Sequence, residues 1–424
     1  MRIIGFVIFA FIFLNSSVAQ DTSYAHEVLY ELSAKKYRGR GYYKNGSGKA
    51  AKYISDEMEK AGLIKLETPC YYQSFQVTAN NVKKVKIKIN KHILKPGVEY
   101  IVNGSSPIKR DKFSGIVPFL GPNQLMNETS VDSLFATAKH LVVIDTIPTG
   151  SNLSQRSIIA KAKKQNIRTL VLLQKGKLTY SVAQNQEDLL TIVYISRPSL
   201  RKELVELGNW ESFKIVVNSE LNNFVENNVM GMIKGKNQDS TIIVCGHYDH
   251  LGQMGKNATF YGANDNACGI AMLLDMAKYF KKNQPKYNML FIAFAGEELG
   301  LVGSRHYVEN PIIPLSQTKF VLNLDLVGTG HKGMTVVNAT VFPEYFKKLT
   351  SINDQYNYLP QITRRGKAAN SDHYFFTEVG IPSFFGYFQG DRSSYHDVFD
   401  IPETLPLTRY VDGRSLFIKF LEAI

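Results

Sequence analysis

The spacing of apolar residues near the start of the chain predicts two amphipathic helices between residues 22 and 63. In both segments apolar side chains recur every three or four positions, which is the period of an α-helix with one buried face. These faces consist of Ala25, Val28, Leu29 and Leu32, and of Ala51, Ile54, Met58 and Ala61. Gly62 ends the second helix, and the glycine-rich text YRGRGYYKNGSG between the helices predicts a loop.

The pattern becomes β-rich from about residue 81 and keeps this character to about residue 219. The apolar runs HLVVIDTI, TLVLLQ and LLTIVYIS predict strands, and a helical pattern over residues 155–165 separates the first two. No His, Asp, Glu or Cys cluster with metal-ligand spacing occurs in this block of sequence. We therefore interpret residues 81–219 as a separate, non-catalytic module.

From Asn228 onward, apolar strands alternate with helical patterns. The strand segments are NVMGMIKG, TIIVCGHYDH, YNMLFIAFAGEE, KFVLNLDLVG and IPSFFGYF, and the clearest helix is DNACGIAMLLDMAKYF. Nearly continuous apolar strands are typical of a parallel sheet that is covered on both faces. The sequence therefore predicts an α/β fold with a mostly parallel, mixed central sheet and helices on both sides.

The first twenty residues have the pattern of an export signal. Arg2 precedes an apolar stretch over residues 3–14, and Ser17, Val18 and Ala19 form a small-residue cleavage site. The stretch is shorter than the roughly 18 apolar residues that span a bilayer. We predict a signal peptide over residues 1–19, with an N-terminal anchor as the alternative. The mature protein is expected to be secreted or periplasmic, with no membrane span.

The charge is strongly positive but scattered along the sequence. The formal net charge is +13, and removal of the signal peptide, whose only charged residue is Arg2, lowers it to +12. The lysines form short clusters such as Lys83-Lys84 and Lys281-Lys282, without an aromatic-interleaved basic stripe. We interpret them as solvated surface and expect no nucleic-acid partner. The sequence does not specify the oligomeric state.

Three cysteines are too few for a disulfide framework or a zinc knuckle. Cys245 lies in a strand pattern and Cys268 in a helix pattern, so both are predicted to be buried thiols. One disulfide in an oxidising compartment remains possible, and the sequence does not say which pair would form it.

Metal-type ligands stand where predicted strands end and where the DNACG helix begins. They are His247 and Asp249, Asp265, the adjacent Glu297 and Glu298, Asp325, and His396. Ligands gather at the carboxyl ends of strands in open α/β sheets. Carboxylates buried there without a counter-charge would be protonated or destabilising, and two divalent cations would supply that charge. Imidazole with carboxylate, without thiolate, favours two Zn²⁺ ions, with Co²⁺ or Mn²⁺ as possible substitutes.

The text FAGEELGLVGS places Glu297 and Glu298 side by side at the end of a strand. Adjacent residues project in different directions, so one carboxylate can hold a metal ion while its neighbour transfers protons. This division of roles explains why the site would need both acids.

Five ordered motifs resemble those of a known family. GHYDH, GANDNACG, FAGEELGLVGS, LNLDLVG and YHDVFD are similar to the motifs of the two-zinc exopeptidases typified by bacterial leucyl aminopeptidase and aminopeptidase Y, metallopeptidase family twenty-eight. The resemblance covers residues 225–424 closely and the N-terminal helices more loosely. It implies a phosphorylase/hydrolase-like zinc peptidase domain formed by residues 20–80 and 220–424. Residues 81–219 resemble the β-rich protease-associated domain often inserted in this family.

The resemblance also implies roles for individual residues. Asp265 would bridge two zinc ions, and its peptide bond to Asn266 would be cis. The remaining zinc ligands would be His247 with Asp325 in one site, and Glu298 with His396 in the other. The second histidine of HYDH, His250, is not expected to be a ligand.

Glu297 would act as general acid and base in this scheme. Asp249 would accept the second ring N–H of His247 and so fix the orientation of the imidazole. Tyr387 is a candidate donor to the oxyanion, and a packing role for this tyrosine is an equal alternative.

Two further segments leave alternatives open. SDHYFF, residues 371–376, either lines the site through Ser371, Asp372 and His373 or caps a helix with one of the first two. TRRGK, residues 363–367, is either a solvated loop or a site for a substrate carboxylate.

The resemblance implies an exported aminopeptidase that acts on peptide N-termini. The same fold could serve a dipeptidase, a carboxypeptidase acting on acidic C-termini, or a glutaminyl cyclase. A cyclase uses a single zinc, and this chain retains all five ligand positions. A non-catalytic receptor-type module is the hypothesis from another class, and the presence of Glu297 with every ligand argues against it.

Overall fold

The computed structural model describes residues 21–66, 70–115, 117–138, 140–201, 204, 210–390 and 394–424. The predicted signal peptide lies outside these residues. No helix in the described part of the chain has the length and apolar character needed to cross a membrane.

The two N-terminal helices are present as predicted. They are α1, Ser23–Leu32, and α2, Gly46–Lys60. The four predicted core residues of α1 are buried, as are Ala51, Ile54 and Met58 of α2, whereas Ala61 is half-buried at the C-cap. Both helices contribute to the largest hydrophobic core.

The central sheet contains ten strands within the described residues. Their bounds are β1 Tyr72–Ile89, β2 His92–Ile93, β4 Lys109–Ser114, β9 Ser212–Ile233, β10 Asn237–His247, β13 Tyr287–Phe294, β14 Thr318–Leu324, β15 Gly333–Val337, β16 Ile362–Arg364 and β17 Ser383–Gln389. The order is β16-β15-β17-β14-β10-β13-β9-β1-β2, and β4 also pairs with β9.

The centre of this sheet is parallel and its margins are mixed. β10 pairs in parallel with both β13 and β14, and β14 pairs in parallel with β17. β9 is antiparallel to β13, and β15 is antiparallel to β17. Each predicted apolar strand after Asn228 forms part of this sheet, and the predicted mixed topology is confirmed.

Helices cover both faces of the sheet, as the apolar runs predict. Besides α1 and α2, the helices of this part are α5 Cys268–Lys282, α6 Val302–Glu309, α7 Pro343–Tyr356, α8 His373–Glu378 and α9 Tyr410–Glu422. Ile242 and Val244 of β10 face the core that includes α5 and α9. Ile243 and Cys245 face the opposite core, which includes Tyr307 of α6.

The middle block forms a second sheet with its own helices. Its strands are β3 Tyr100–Val102, β5 Phe119–Leu120, β6 Val142–Ile144, β7 Thr169–Gln174 and β8 Thr191–Ser196, in the order β3-β8-β7-β6-β5. Helices α3, Glu128–Thr137, and α4, Gln155–Lys164, accompany these strands. Outside the middle block, two short strands, β11 Gln253–Met254 and β12 Ala258–Thr259, form a separate ladder. The strands and the helix predicted from the sequence of this block are confirmed.

A long antiparallel ladder joins the middle block to the central sheet. β1 and β9 pair from Tyr72 opposite Val229 to Ile89 opposite Phe213, with one bulge between Val82 and Lys84. The ladder therefore runs through both limits of residues 81–219, and those limits remain a prediction about domain organisation.

Cys245 and Cys268 carry free thiols. Cys245 and Cys268 are buried, as their positions in a strand and a helix pattern predict.

Candidate metal centre

The strand register brings the predicted ligands to one edge of the sheet. His247 ends β10 and lies opposite Phe294 of β13, three residues before Glu297. Cys245 lies opposite Asn323 of β14, so Asp325 follows its strand at the level of His247. Parallel strands end at the same edge, and this places three chain segments around one cleft of about 460 Å³. Its lining includes His247, Asp265, Glu297, Glu298, Asp325 and His396.

Asp265 stands between two histidines. Its Oδ1 lies 3.3 Å from His247 Nε2, and its Oδ2 lies 3.1 Å from His396 Nε2. His247 Nε2 is also 3.5 Å from Asp325 Oδ1, and His396 Nε2 is 3.3 Å from Glu298 Oε2. The two oxygens of one carboxylate therefore face two separate pairs of ligands, each with an imidazole and a second carboxylate.

The residues present fit divalent metal ions. Asp325 Oδ1 is buried and accepts no hydrogen bond from any residue that the structure describes. Imidazole nitrogens and carboxylate oxygens, without thiolate, are a donor set that zinc binds. The acids Asp265, Glu297, Glu298 and Asp325 exceed the two histidines in number, and buried carboxylates need a compensating cation.

The pKa values show the same imbalance of charge. Burial raises the pKa of Glu297, and the nearby carboxylates of Glu298, Asp372 and Asp325 raise it further against the opposing effect of His247. Burial lowers the pKa of His396, but the carboxylates of Glu298 and Asp265 outweigh burial and raise it to about 11. A metal ion that binds His396 would therefore compete with a proton for the imidazole.

The side chain of Asp249 binds the backbone of Glu297 and Glu298 instead of the imidazole of His247. Its carboxylate accepts the backbone N–H groups of Glu297 and Glu298 at 3.2 and 3.3 Å, and the hydroxyl of Tyr42 at 2.6 Å. His247 Nδ1 lies 3.1 Å from the backbone carbonyl of Asp249 and 3.8 Å from its carboxylate. The predicted contact with His247 is thus made by the Asp249 main chain, because the side chain turns toward the two glutamates.

His250 lies closer to the site than sequence spacing suggests. Its Nδ1 is 2.7 Å from Glu298 Oε1, and Oε2 of the same carboxylate faces His396. Donor atoms of His250, Asp265 and Glu298 lie within 4.8 Å of one another, as do those of His247, Glu297 and Asp325. Proximity alone therefore groups His250 with the acids as readily as it groups His396.

The loop that carries Asp265 is fixed through its main chain. Asp400 accepts the backbone N–H groups of Asn264 and Asp265, each at 3.0 Å. Asn266 donates to the carbonyls of His247 and Leu324, and so joins the ends of β10 and β14. The Asp265–Asn266 peptide bond is cis, as predicted.

Arg40 is a supporting residue that the sequence interpretation missed. It is fully buried, and its guanidinium donates to the carbonyls of Leu32, Tyr248, Tyr261, Gly262 and Asp265. Burial lowers the pKa of Arg40 to about 10, and the carboxylates of Asp265 and Asp400 partly offset this effect. Arg40 therefore stays charged at neutral pH beneath the acidic cluster. A glycine-flanked arginine in a loop pattern carries no signal for this role.

Ser371 orients Asp325. Its hydroxyl donates to Asp325 Oδ2 at 2.9 Å and accepts from the Asn323 amide at 2.7 Å. Asp372 occupies the N-cap position of α8 without a side-chain capping bond. Burial raises the pKa of Asp372 to about 7, against the lowering effect of His247. Ser371, Asp372 and His373 are not among the residues that line the cleft, so Ser371 acts on the site through Asp325.

The walls of the cleft contain aromatic and basic groups. Tyr387, Phe385 and Tyr395 line it, and the Tyr395 ring stacks on His396 with centroids 4.0 Å apart. Arg365, from the TRRGK segment, is the one lysine or arginine among the described lining residues, and its Nη1 is 3.5 Å from Tyr387 Oη.

The middle block contacts the loop that carries His396. The backbone N–H of Tyr180 donates to the His396 carbonyl at 2.9 Å, and Lys177 forms an ion pair with Asp397 at 2.8 Å. The block contains none of the predicted ligands, but it helps to hold one of them in place.

Solved structures with the same fold include a zinc aminopeptidase and a peptidase precursor. A Peptidase M28 precursor from Shewanella amazonensis SB2B superposes with a TM-score of 0.71 at 15% identity, covering 95% of this chain and 93% of that chain. BSAP, a zinc aminopeptidase from Bacillus subtilis, superposes with a TM-score of 0.68 at 19% identity, covering 95% and 94%. These superpositions show that the chain shares this α/β fold.

The sequence comparison matches part of the chain to a known family. Residues 228–420 match the family described as Peptidase family M28. Aminopeptidase YwaD of Bacillus subtilis (strain 168) is 27% identical over 267 residues, 54% of this chain and 54% of the relative. The chain thus spans about half the length of this curated relative.

Arg40 provides a test of the support beneath the site. We expect Arg40→Met to lower the free energy of unfolding by about 3–5 kcal/mol, because it leaves buried carbonyls and acids without their cation. Urea unfolding measures this loss.

The matched control is Arg38→Met. Arg38 makes one side-chain hydrogen bond, at 3.3 Å to Gln253, so its loss should cost less than about 1 kcal/mol. Equal destabilisation by the two variants would contradict the role of Arg40.

Proposed function

We propose that this protein is an exported zinc-dependent aminopeptidase that hydrolyses the N-terminal residue from peptides. The single observation that carries the proposal is the position of Asp265, whose two oxygens face two histidine–carboxylate pairs. The match of residues 228–420 to Peptidase family M28 and the aminopeptidase names of the relatives support the same activity.

Two zinc ions would share Asp265. His247 and Asp325 would complete one site, and Glu298 and His396 the other. We assign His396 in preference to His250 because His396 Nε2 lies near both Asp265 and Glu298, whereas His250 Nδ1 already binds Glu298 Oε1. Co²⁺ and Mn²⁺ are the substitutes that this donor set would accept.

Zinc ions bound there would activate a water molecule and polarise the scissile carbonyl. Glu297 lies within 4.8 Å of the ligand atoms of His247 and Asp325, in the floor of the cleft. From this position Glu297 takes a proton from the attacking water and gives it to the leaving amine. The Asp249 carboxylate positions Glu297 by accepting a hydrogen bond from the Glu297 backbone N–H.

Tyr387 is the proposed donor to the developing oxyanion. It lines the cleft, and the neighbouring Arg365 guanidinium lies 3.5 Å from its hydroxyl. A hydrogen-bond donor aimed at the oxyanion stabilises the transition state more than the substrate.

A carboxypeptidase or dipeptidase activity is the second candidate. Arg365 favours it, because a guanidinium in the cleft can bind the carboxylate of a short peptide. We further propose that residues 1–19 direct export to the periplasm or medium, and that residues 81–219 are a protease-associated-like insertion that supports the His396 loop.

The adjacent glutamates have separable roles that can be measured. Glu297→Ala should lower kcat at least a hundredfold while zinc content stays at the parental level, since proton transfer is lost and the metal ligands remain. Glu298→Ala should lower both zinc content and activity. Elemental analysis and steady-state kinetics on both variants check this. Parental rates in both would contradict the assigned roles.

The direction of the cut can be tested with blocked peptides. We expect a peptide with a free amine to be hydrolysed from its N-terminus and its N-acetylated form to resist, with a chelator abolishing turnover. Mass spectrometry of the products identifies the residue released. Release of C-terminal residues from the acetylated peptide would establish the second candidate instead.

A further inference from the structure

The strand register gathers lysines that are far apart in sequence into one surface array. Lys88 of β1 lies opposite Lys214 of β9, and Lys214 lies opposite Lys112 of β4. Three lysines therefore form one row across three neighbouring strands. Directly opposed side chains have Cβ atoms about 5 Å apart, and like charges so placed are destabilising.

The neighbouring rows on the same face continue this array. Val216 of β9 lies between Lys86 and Arg110, and Asn218 lies opposite Lys84. We define the lysine array as Lys84, Lys86, Lys88, Arg110, Lys112 and Lys214. Its members are exposed except Lys88, which is half-buried.

Carboxylates do not neutralise the array. On this face the positions are 84, 86 and 88 of β1, 214, 216 and 218 of β9, and 110, 112 and 114 of β4, and none is Asp or Glu. Within the described chain no ion pair joins a member of the array to an acid. Nearby, Lys83 pairs with Glu220, and Asp111 pairs with Lys109 and Arg168. The repulsion is therefore left for an external anion to relieve.

The array lines an elongated groove. One cavity of about 700 Å³ is lined by Lys84, Lys86, Lys88, Lys112 and Lys214. A second cavity of about 420 Å³ shares Lys84, Lys86 and Ile93 with the first and adds Lys256. Neither cavity shares a lining residue with the metal cleft. The two adjoining cavities suit an extended molecule that binds independently of catalysis.

We propose that the lysine array is a binding site for a linear anionic polysaccharide, whose sulfate or carboxylate groups pair with the lysines. Cations recur about 5 Å apart across the strands and about 7 Å apart along them, which suits a chain with repeated charges. Ser114 and Ser212 form the next row of this face and offer hydroxyls to sugar groups. The groove thus supplies both charge and hydrogen bonds.

Other anions fit the surface less well. No aromatic side chain occupies the nine face positions, and Tyr100 and Phe213, which border the two cavities, are buried. The bases of a nucleic acid therefore have no exposed ring to stack on among these residues. The charges line a concave groove, which a planar lipid surface would touch only at its rim. Backbone N–H groups of β9 take part in the hydrogen-bonded ladders with β1 and β4. They are therefore not available to bind a single small anion through a cluster of backbone N–H groups.

Binding to dextran sulfate, carboxymethyl dextran and neutral dextran of matched length tests the proposal, with calorimetry as the measurement. We expect the charged polymers to bind, the neutral polymer not to bind, and the affinity to fall as salt rises. The difference between the two charged polymers identifies sulfate or carboxylate as the preferred group. A dT oligonucleotide and anionic vesicles are included at equal total charge.

The array variant replaces Lys86, Lys88, Lys112 and Lys214 with Gln. The control variant removes the same charge from exposed lysines elsewhere, at Lys35, Lys49, Lys282 and Lys347. We expect the array variant to bind at least tenfold more weakly, the control variant to stay within twofold, and hydrolysis of a short peptide to be unchanged in both. Lys→Arg at the four array positions should retain binding.

Lys214→Glu gives an independent readout if the array variant is unstable. The new carboxylate would face Lys88 and Lys112, so the thermal midpoint should rise while polymer affinity falls at least fivefold. Equal losses in the array and control variants, unchanged affinity in Lys214→Glu, or tighter binding of the oligonucleotide or vesicles would overturn the proposal.

Discussion

Charge compensation at the carboxyl edge of the sheet is the constraint on which the rest of this structure depends. Asp265, Glu298 and Asp325 converge on two imidazoles, and Glu297 stands beside them. Such a group is stable only if cations balance it. Arg40 supplies one fixed charge from below. In the proposed function, metal ions would supply the larger part of this compensation.

The supporting contacts come from parts of the chain that are distant in sequence. Arg40 arrives from the N-terminal loop, Asp400 from the C-terminal region, and Asn266 ties two strand ends together. Tyr180 of the middle block binds the main chain of His396. The site is therefore a product of the whole fold.

The sequence predicts those features that depend on local pattern. The apolar runs of β10, β13, β14 and β17 identify the sheet, and residues that follow these strands are among the proposed ligands. Features that depend on contacts between segments far apart in sequence cannot be predicted in this way. The carboxylate of Asp249 turns to the glutamate backbone, and His250 reaches Glu298. Arg40 donates to carbonyls from three other segments of the chain. Likewise, scattered lysines become an array only through the register of β1, β9 and β4.

The most direct measurement of the central claim is zinc stoichiometry in the parental protein and in Asp265→Ala, by elemental analysis after dialysis against trace zinc. If the two oxygens of Asp265 each serve one ion, the parental protein holds two zinc ions per chain and the variant loses affinity at both positions. A parental protein that binds no zinc, or an Asp265→Ala variant with the full parental content, would contradict this account.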